Sequence, residues 1–162
     1  MRSGYSKRTI FGSLKPAFEE YREPKKWKKE ISQVRILTNR GSVAYFLPEI
    51  EAKGITGKQF ADLVLDGEIT EMKTVSGNRN TLGWDFKQGL KQGKAVIQDH
   101  PMIKTHSVYV RLLSEFSIQS VKGKIAGELK DRPVNGNFIC YFEHIGELRM
   151  WSYDELRSII GR

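Results

Sequence analysis

Residues 61–73, Ala61-Asp-Leu-Val-Leu-Asp-Gly-Glu-Ile-Thr-Glu-Met-Lys73, constrain the fold of this chain more than any other stretch. Two runs of strand-forming residues flank Asp66-Gly67, and an Asp-Gly pair is a hairpin signal because both central residues of a type I′ turn need positive φ. Side chains alternate along a strand, so Glu71 and Lys73 project from one face of the second strand. An acid and an ammonium are thereby mounted side by side on a rigid element. The polar loop Thr74-Val-Ser-Gly-Asn-Arg-Asn-Thr81 follows at once, and a strand edge beside an adaptable loop is a common mount for functional groups.

The rest of the pattern alternates short strands with helices. A short helix is expected over residues 16–23, ended by Pro24, and a second from about Lys25 to Asn39, where Trp27, Ile31, Val34 and Leu37 recur at helical spacing and Gly41 supplies a stop. Ser42–Leu47 reads as a strand closed by Pro48. After the hairpin, Leu82, Phe86 and Leu90 fall four apart, which predicts a helix over 81–97 capped by Thr81 or Asn80. Gln88 and Gln92 lie on one side of it. Ser107–Leu113 alternates as a strand, with Val108, Val110 and Leu112 on one face and Tyr109 and Arg111 on the other. Ile118, Val121, Ile125 and Leu129 mark another helix, ending before Pro133. Asn137–Glu143 and Glu147–Tyr153 form a second hairpin turning near Ile145-Gly146, and Asp154–Ile160 a last helix. Hairpins with helices between them predict an α+β domain on a largely antiparallel, twisted sheet over residues 42–162, preceded by a basic helical extension over residues 1–41. Residues 1–15 read as a weakly ordered lead with no chemistry of their own.

Charge sharpens this division. Of 27 Lys and Arg in 162 residues, 11 stand in residues 1–40 against 4 Glu, while residues 41–162 hold 16 against 15 acids. The net +8 therefore belongs mainly to the extension, around Lys25-Lys26-Trp27-Lys28-Lys29. Such a cluster grips phosphates and stacks on a base, or else forms a solvated helical face with Trp27 turned to the core. Cys140 is the single cysteine, which excludes an intramolecular disulfide and a cysteine-based zinc site, and its apolar neighbours suit a small buried hydrophobe. No run approaches the ~18 apolar residues of a membrane span, and the first residues lack a signal-peptide core, so a soluble chain that does not export itself is expected.

Phosphate loops of the Gly-x-x-x-x-Gly-Lys-Ser/Thr type, nucleophile elbows and His-Glu-x-x-His helices are absent from the sequence. His100, His106 and His144 are too scattered to suggest a metal cage. His106 stands just ahead of the strand that carries Arg111, which would set it at a sheet edge near Glu71 or leave it as a surface loop residue.

The succession Phe46-Leu-Pro-Glu49, the Asp-Leu-Val-Leu-Asp-Gly hairpin, Glu71-x-Lys73, a Ser/Asn loop, a helix with Leu90-Lys-Gln92 and a closing two-strand unit resembles the C-terminal toxin domains of contact-dependent growth inhibition systems. More specifically it is similar to the tRNA-cleaving group of the barnase/EndoU/colicin/RelE-like nuclease superfamily, over roughly residues 42–154. The resemblance implies a ribonuclease toxin with that superfamily's architecture. It would be delivered from the producing cell's surface, act on RNA, chiefly tRNA, in the cytoplasm of a neighbouring bacterium, and be neutralised by an immunity protein.

The chemistry also follows from the residues. Cleaving RNA without a metal requires groups to move protons at the 2′-OH and the departing 5′-oxygen, and cations to hold charge on the phosphorus oxygens. Glu71 and His106 fit the acid/base roles, Lys73 and Arg111 the cations, and Ser76, Asn78, Arg79, Lys28 and Lys29 further contacts to phosphate or base. Glu71 beside a lysine needs burial to act as a base near neutrality; exposed, the pair would be a surface ion pair of little energy. No cofactor is needed on this reading. An alternative is a metal-dependent nuclease of the PD-(D/E)xK type, with Asp62 and Glu71, and Glu49 or Glu51, holding Mg²⁺ while Lys73 orients the attacking water. Against it stands the expected antiparallel ending, since such cores place parallel strands after the motif. A third possibility is a non-catalytic RNA- or protein-binding module using the basic extension and exposed Tyr109, Tyr141 and Trp151.

Overall fold

A computed structural model describes the backbone of residues 8–10, 24–46 and 61–160, and the side chains of residues 28–46 and 61–160. The chain divides into two compact units, Met1–Thr70 and Glu71–Arg162, with the division falling inside one strand.

The first unit contains β1 (Arg8–Ile10), α1 (Pro24–Thr38), β2 (Ala44–Phe46), β3 (Leu63–Leu65) and the start of β4 (Glu68–Val75). Pro24 opens α1, where its missing N–H costs nothing and its fixed φ suits the first turn. Gly41, at φ +101°, ends it, with the Ser42 N–H donating back to the Leu37 carbonyl at 3.1 Å. Each of the pairs β1·β2, β2·β3 and β3·β4 is antiparallel, with Ala44 opposite Leu65 and Leu63 opposite Thr70. The hairpin turn is of the expected kind: Asp66 lies at φ +48° and Gly67 at φ +84°. Asp66 does a second job, since its N–H donates to the Val43 carbonyl and its Oδ1 accepts from the Val43 N–H, both at 2.8 Å. The turn is thereby tied to the segment that feeds β2. Within the lead expected over residues 1–15, the described residues are those of β1, a strand of three residues, too short to leave a periodicity in the sequence. The helix expected over 16–23 lies outside the described residues.

The second unit takes the rest of β4, then α2 (Arg79–Asp99), β5 (Ser107–Leu112), α3 (Ile118–Asp131), β6 (Asn137–Phe142), β7 (Glu147–Ser152) and α4 (Tyr153–Ile160). Asn78, rather than Thr81 or Asn80, caps α2, its side chain accepting from the N–H groups of Asn80 at 3.0 Å and Thr81 at 3.1 Å. Neighbouring strands β4 and β5 bring their C-terminal ends together: the Leu113 N–H donates to the Val75 carbonyl at 2.9 Å and the Ser114 hydroxyl to the Ser76 carbonyl at 2.8 Å. They therefore run parallel, with the 21-residue α2 as the crossover. β5 and β6 are parallel too, Val108 opposite Phe138 and Leu112 opposite Phe142, and α3 is their crossover. Only β6·β7 is an antiparallel hairpin in this unit, turning at Gly146 with φ +63°. The fold class is α+β as expected, but the sheet is mixed rather than largely antiparallel. A helix between two adjacent strands enforces a parallel pair, and adjacency is what a one-dimensional pattern does not record.

The core of this unit lies between that sheet and α2, α3 and α4. Leu82, Phe86 and Leu90 of α2 meet Val108, Val110 and Leu112 of β5 and Val121, Ile125 and Leu129 of α3. Phe86 and Phe138 pack tilted, with ring centroids 5.7 Å apart. Side chains of this kind contribute about 1.5–3 kcal/mol each on full burial. Tyr109, on the other face of β5, is also fully buried, Trp151 is buried and Tyr141 half-buried, so these three do not form the exposed stacking platform considered from the sequence. Cys140 is a fully buried thiol, and burial pushes its pKa up.

Candidate functional site

The polar residues of the second unit gather where α2 crosses β4 and β5. Along β4 the face that carries Glu71 and Lys73 also carries Val75, which belongs to the core beneath α2. On the helix, Asp85, Gly89 and Gly93 succeed each other at i, i+4 and i+8, one line down the side that meets the sheet. The glycines set the distance of approach. A Cβ at Gly89 would lie 3.2 Å from Val108 Cγ1 and 3.6 Å from Lys73 Cε; one at Gly93 would lie 2.3 Å from His106 Nδ1. Lys73 thus lies against Gly89 and the His106 ring against Gly93.

Glu71 is 2% exposed and His106 0%, whereas Lys73 and Asp85 are half-buried. Burial pushes the Asp85 carboxyl above its ordinary pKa, and the Lys73 ammonium pulls it part of the way back. Gln92, three residues beyond Gly89 on the same side of α2, has a buried Oε1 that meets no hydrogen-bond donor. This cluster can present an ammonium at Lys73 beside the Asp85 carboxyl, and offer hard oxygen donors from Glu71 and Gln92.

The expected quartet does not assemble as drawn. Glu71, Lys73 and His106 share the α2 face of the sheet, but Arg111 alternates to the opposite face with Tyr109 and pairs with Glu143 Oε1 at 2.5 Å. His106 is neither a sheet-edge group nor a surface loop residue. It is walled in by α2, and its backbone N–H donates to the Asn135 carbonyl at 2.8 Å. The loop residues are committed to structure: the Ser76 carbonyl accepts from Ser114, Asn78 caps α2, and Arg79 Nε donates to Ser120 Oγ at 3.1 Å, fastening the first turns of α2 and α3 together. In the first unit, Lys28 and Lys29 are exposed on α1, and Asp62 is half-buried just ahead of β3. Glu49 and Glu51, and the side chains of Lys25, Lys26 and Trp27, lie outside the described residues.

Three participants escaped the sequence reading. Asp85 and the pair Gly89/Gly93 had a signal, a polar residue and two glycines in line on the inner side of a helix. Among the described residues no three of His, Cys, Asp and Glu converge to form a metal cage, and no helix among them is long and apolar enough to cross a membrane. Comparison with protein-family models, with curated proteins and with solved structures gave no match.

Proposed function

We propose that the chain is a nuclease of the metal-dependent kind, with Glu71 and Lys73 of the second unit at its centre. The observation that carries this reading is the run of elements around the motif. A helix and an antiparallel meander precede Glu71-x-Lys73, and a crossover helix followed by a parallel strand comes after it. This removes the objection raised by an antiparallel ending. The position of Arg111 weighs the same way, because the metal-free scheme needs it beside Lys73 and it is held on the other face by Glu143.

The donor set suits a hard cation. Mg²⁺ is held through one or two carboxylates and keeps several waters; Glu71 would supply a carboxylate, and the buried Gln92 Oε1 is an oxygen that meets no donor. When bound, such an ion supplies Lewis acidity to a phosphoryl oxygen. The chain's own groups do the rest. Lys73, its stem held against Gly89, aims an ammonium that orients the attacking water and offsets charge gathering on the phosphate. The Asp85 carboxyl, on which the Lys73 ammonium acts, helps to hold that ammonium in place. The likeness to contact-dependent toxin domains supplies the biological setting within this proposal: tRNA as substrate, delivery into a neighbouring cell, and an immunity protein in the producer.

The test is to incubate purified protein with total tRNA and with DNA, in EDTA and in Mg²⁺, and to map the ends. We expect cleavage that is lost in EDTA, restored by Mg²⁺, leaves 5′-phosphates and disappears in a folded Lys73→Met variant. Activity that persists in EDTA and leaves 2′,3′-cyclic phosphates would overturn the metal-dependent reading in favour of acid/base catalysis by Glu71 and His106.

A further inference from the structure

The side of α2 turned away from the sheet carries a second pattern. Trp84, Lys87, Lys91 and Lys94 follow one another at intervals of three, four and three, which sets them in one stripe along the helix. Trp84 is 60% exposed, Lys91 and Lys94 are exposed, and Lys87 Nζ lies 5.6 Å from the centroid of the Trp84 ring. The two acids of α2 stand off this stripe: Asp85 is turned to the Lys73 side and Asp99 is the last residue of the helix. An amphipathic helix needs only its inner residues for the core, so nothing in folding calls for an indole on the outside, and aromatic side chains are enriched at interfaces relative to the rest of the surface. The stripe runs about 15 Å at 1.5 Å per residue, the length of about four nucleotides at 3.4 Å rise per strand.

We infer that this outer face of α2 is a docking track for single-stranded nucleic acid, with Trp84 stacking on a base and Lys87, Lys91 and Lys94 against successive phosphates. A flat π-face among cations, with no carboxylate between them, matches the alternation of base and phosphate in a strand. An acidic protein surface would satisfy the lysines and leave the indole without a matching partner. The choice of nucleic acid as the polyanion rests on the nuclease reading, and it adds to that reading a surface for holding the strand on the helix that covers the candidate site.

The experiment measures binding and cleavage separately. Binding of fluorescently labelled 12-nucleotide single strands, RNA and DNA, and of a duplex, is followed by anisotropy in EDTA at several salt concentrations, for wild type, Trp84→Ala and Lys91→Gln/Lys94→Gln. All three substituted residues are solvent-facing, and melting curves confirm that the variants fold. Trp84→Ala is expected to weaken single-strand binding about tenfold or more, and the double lysine variant to lower the salt slope by about 1.4, at about 0.7 per phosphate contact. Affinity and slope unchanged in both variants overturn the inference, as does wild type that binds no strand at all or binds only an acidic protein such as an immunity partner. Cleavage in Mg²⁺ tells the two proposals apart. Wild type that cuts RNA while the variants bind normally sinks the track and spares the nuclease; wild type that binds through Trp84 yet cuts nothing does the reverse.

Discussion

The contact between Gly93 and His106 can be tested by one substitution made in two places. Gly93→Ala and Gly127→Ala each replace a helical glycine by the best helix former, a change that by itself stabilises by about 1 kcal/mol. At Gly127, on α3, an added Cβ meets nothing within 4 Å, so the full benefit is expected. At Gly93 the same methyl would stand 2.3 Å from Nδ1 and 2.7 Å from both Cε1 and Cγ of His106. That ring is fully buried, and the backbone behind it is pinned: the His106 N–H is bonded to Asn135, and the His106 carbonyl oxygen would lie 2.0 Å from a Cβ at Gly136. Relief must come from lifting α2, and overpacking of this kind costs about 1–3 kcal/mol. Once the helix propensity is returned, Gly93→Ala should be about 1 kcal/mol less stable than wild type, and Gly127→Ala about 1 kcal/mol more stable. At about 2–4 °C per kcal/mol for a chain of this length, the two melting temperatures should differ by about 4–8 °C. Denaturant titration followed by far-UV circular dichroism measures the same gap. If Gly93→Ala rises in stability alongside Gly127→Ala, α2 does not seat on His106 and the candidate cluster is drawn wrongly.

Other consequences follow from the same geometry. Asp85 has a raised pKa, so the folded state binds its proton more tightly than the unfolded chain does, and stability is lost as pH rises through the ordinary carboxylate value of about 4; Asp85→Asn should raise the melting temperature at pH 7, with the gain fading below about pH 4, and a gain independent of pH would refute this. Arg111→Gln should leave nucleic-acid cleavage unchanged and cost within about 1 kcal/mol, because its partner Glu143 is partly exposed; a loss of turnover comparable to that of Lys73→Met would restore Arg111 to the site. The Cys140 thiol should resist aromatic disulfide reagents in the native protein and react only as denaturant unfolds it, and prompt native-state labelling would contradict its burial.

Elements whose information is local were legible in the chain. The Asp66-Gly67 turn declared itself because the left-handed backbone angles it needs restrict residue choice strongly. α2 and α3 did so because Leu82, Phe86 and Leu90, and Val121, Ile125 and Leu129, repeat at the helical period. Boundaries moved by a residue or two where caps compete, as at Asn78, whose side chain outreached Asn80 and Thr81. Glu71 and Lys73 were legible as a pair on one face, since strand alternation is a backbone property. His106 was not, because its burial depends on a glycine thirteen residues earlier allowing a helix to descend on it. Arg111 fits a phosphate-stabilising cation in the sequence because its partner Glu143 lies thirty-two residues away.

The amino-acid order alone thus determined the segments that become α1 to α4 and β2 to β7, where the first hairpin turns, and that an acid and an ammonium share one strand face, all of which depend on neighbours a few residues apart. Only the tertiary structure decided that β4, β5 and β6 run parallel, that α2 closes over His106, and that Asp85 stands by Lys73 while Arg111 pairs with Glu143. These depend on which elements become adjacent, and adjacency is set by burying apolar faces across the whole fold, a contest in which no single stretch of chain carries the outcome.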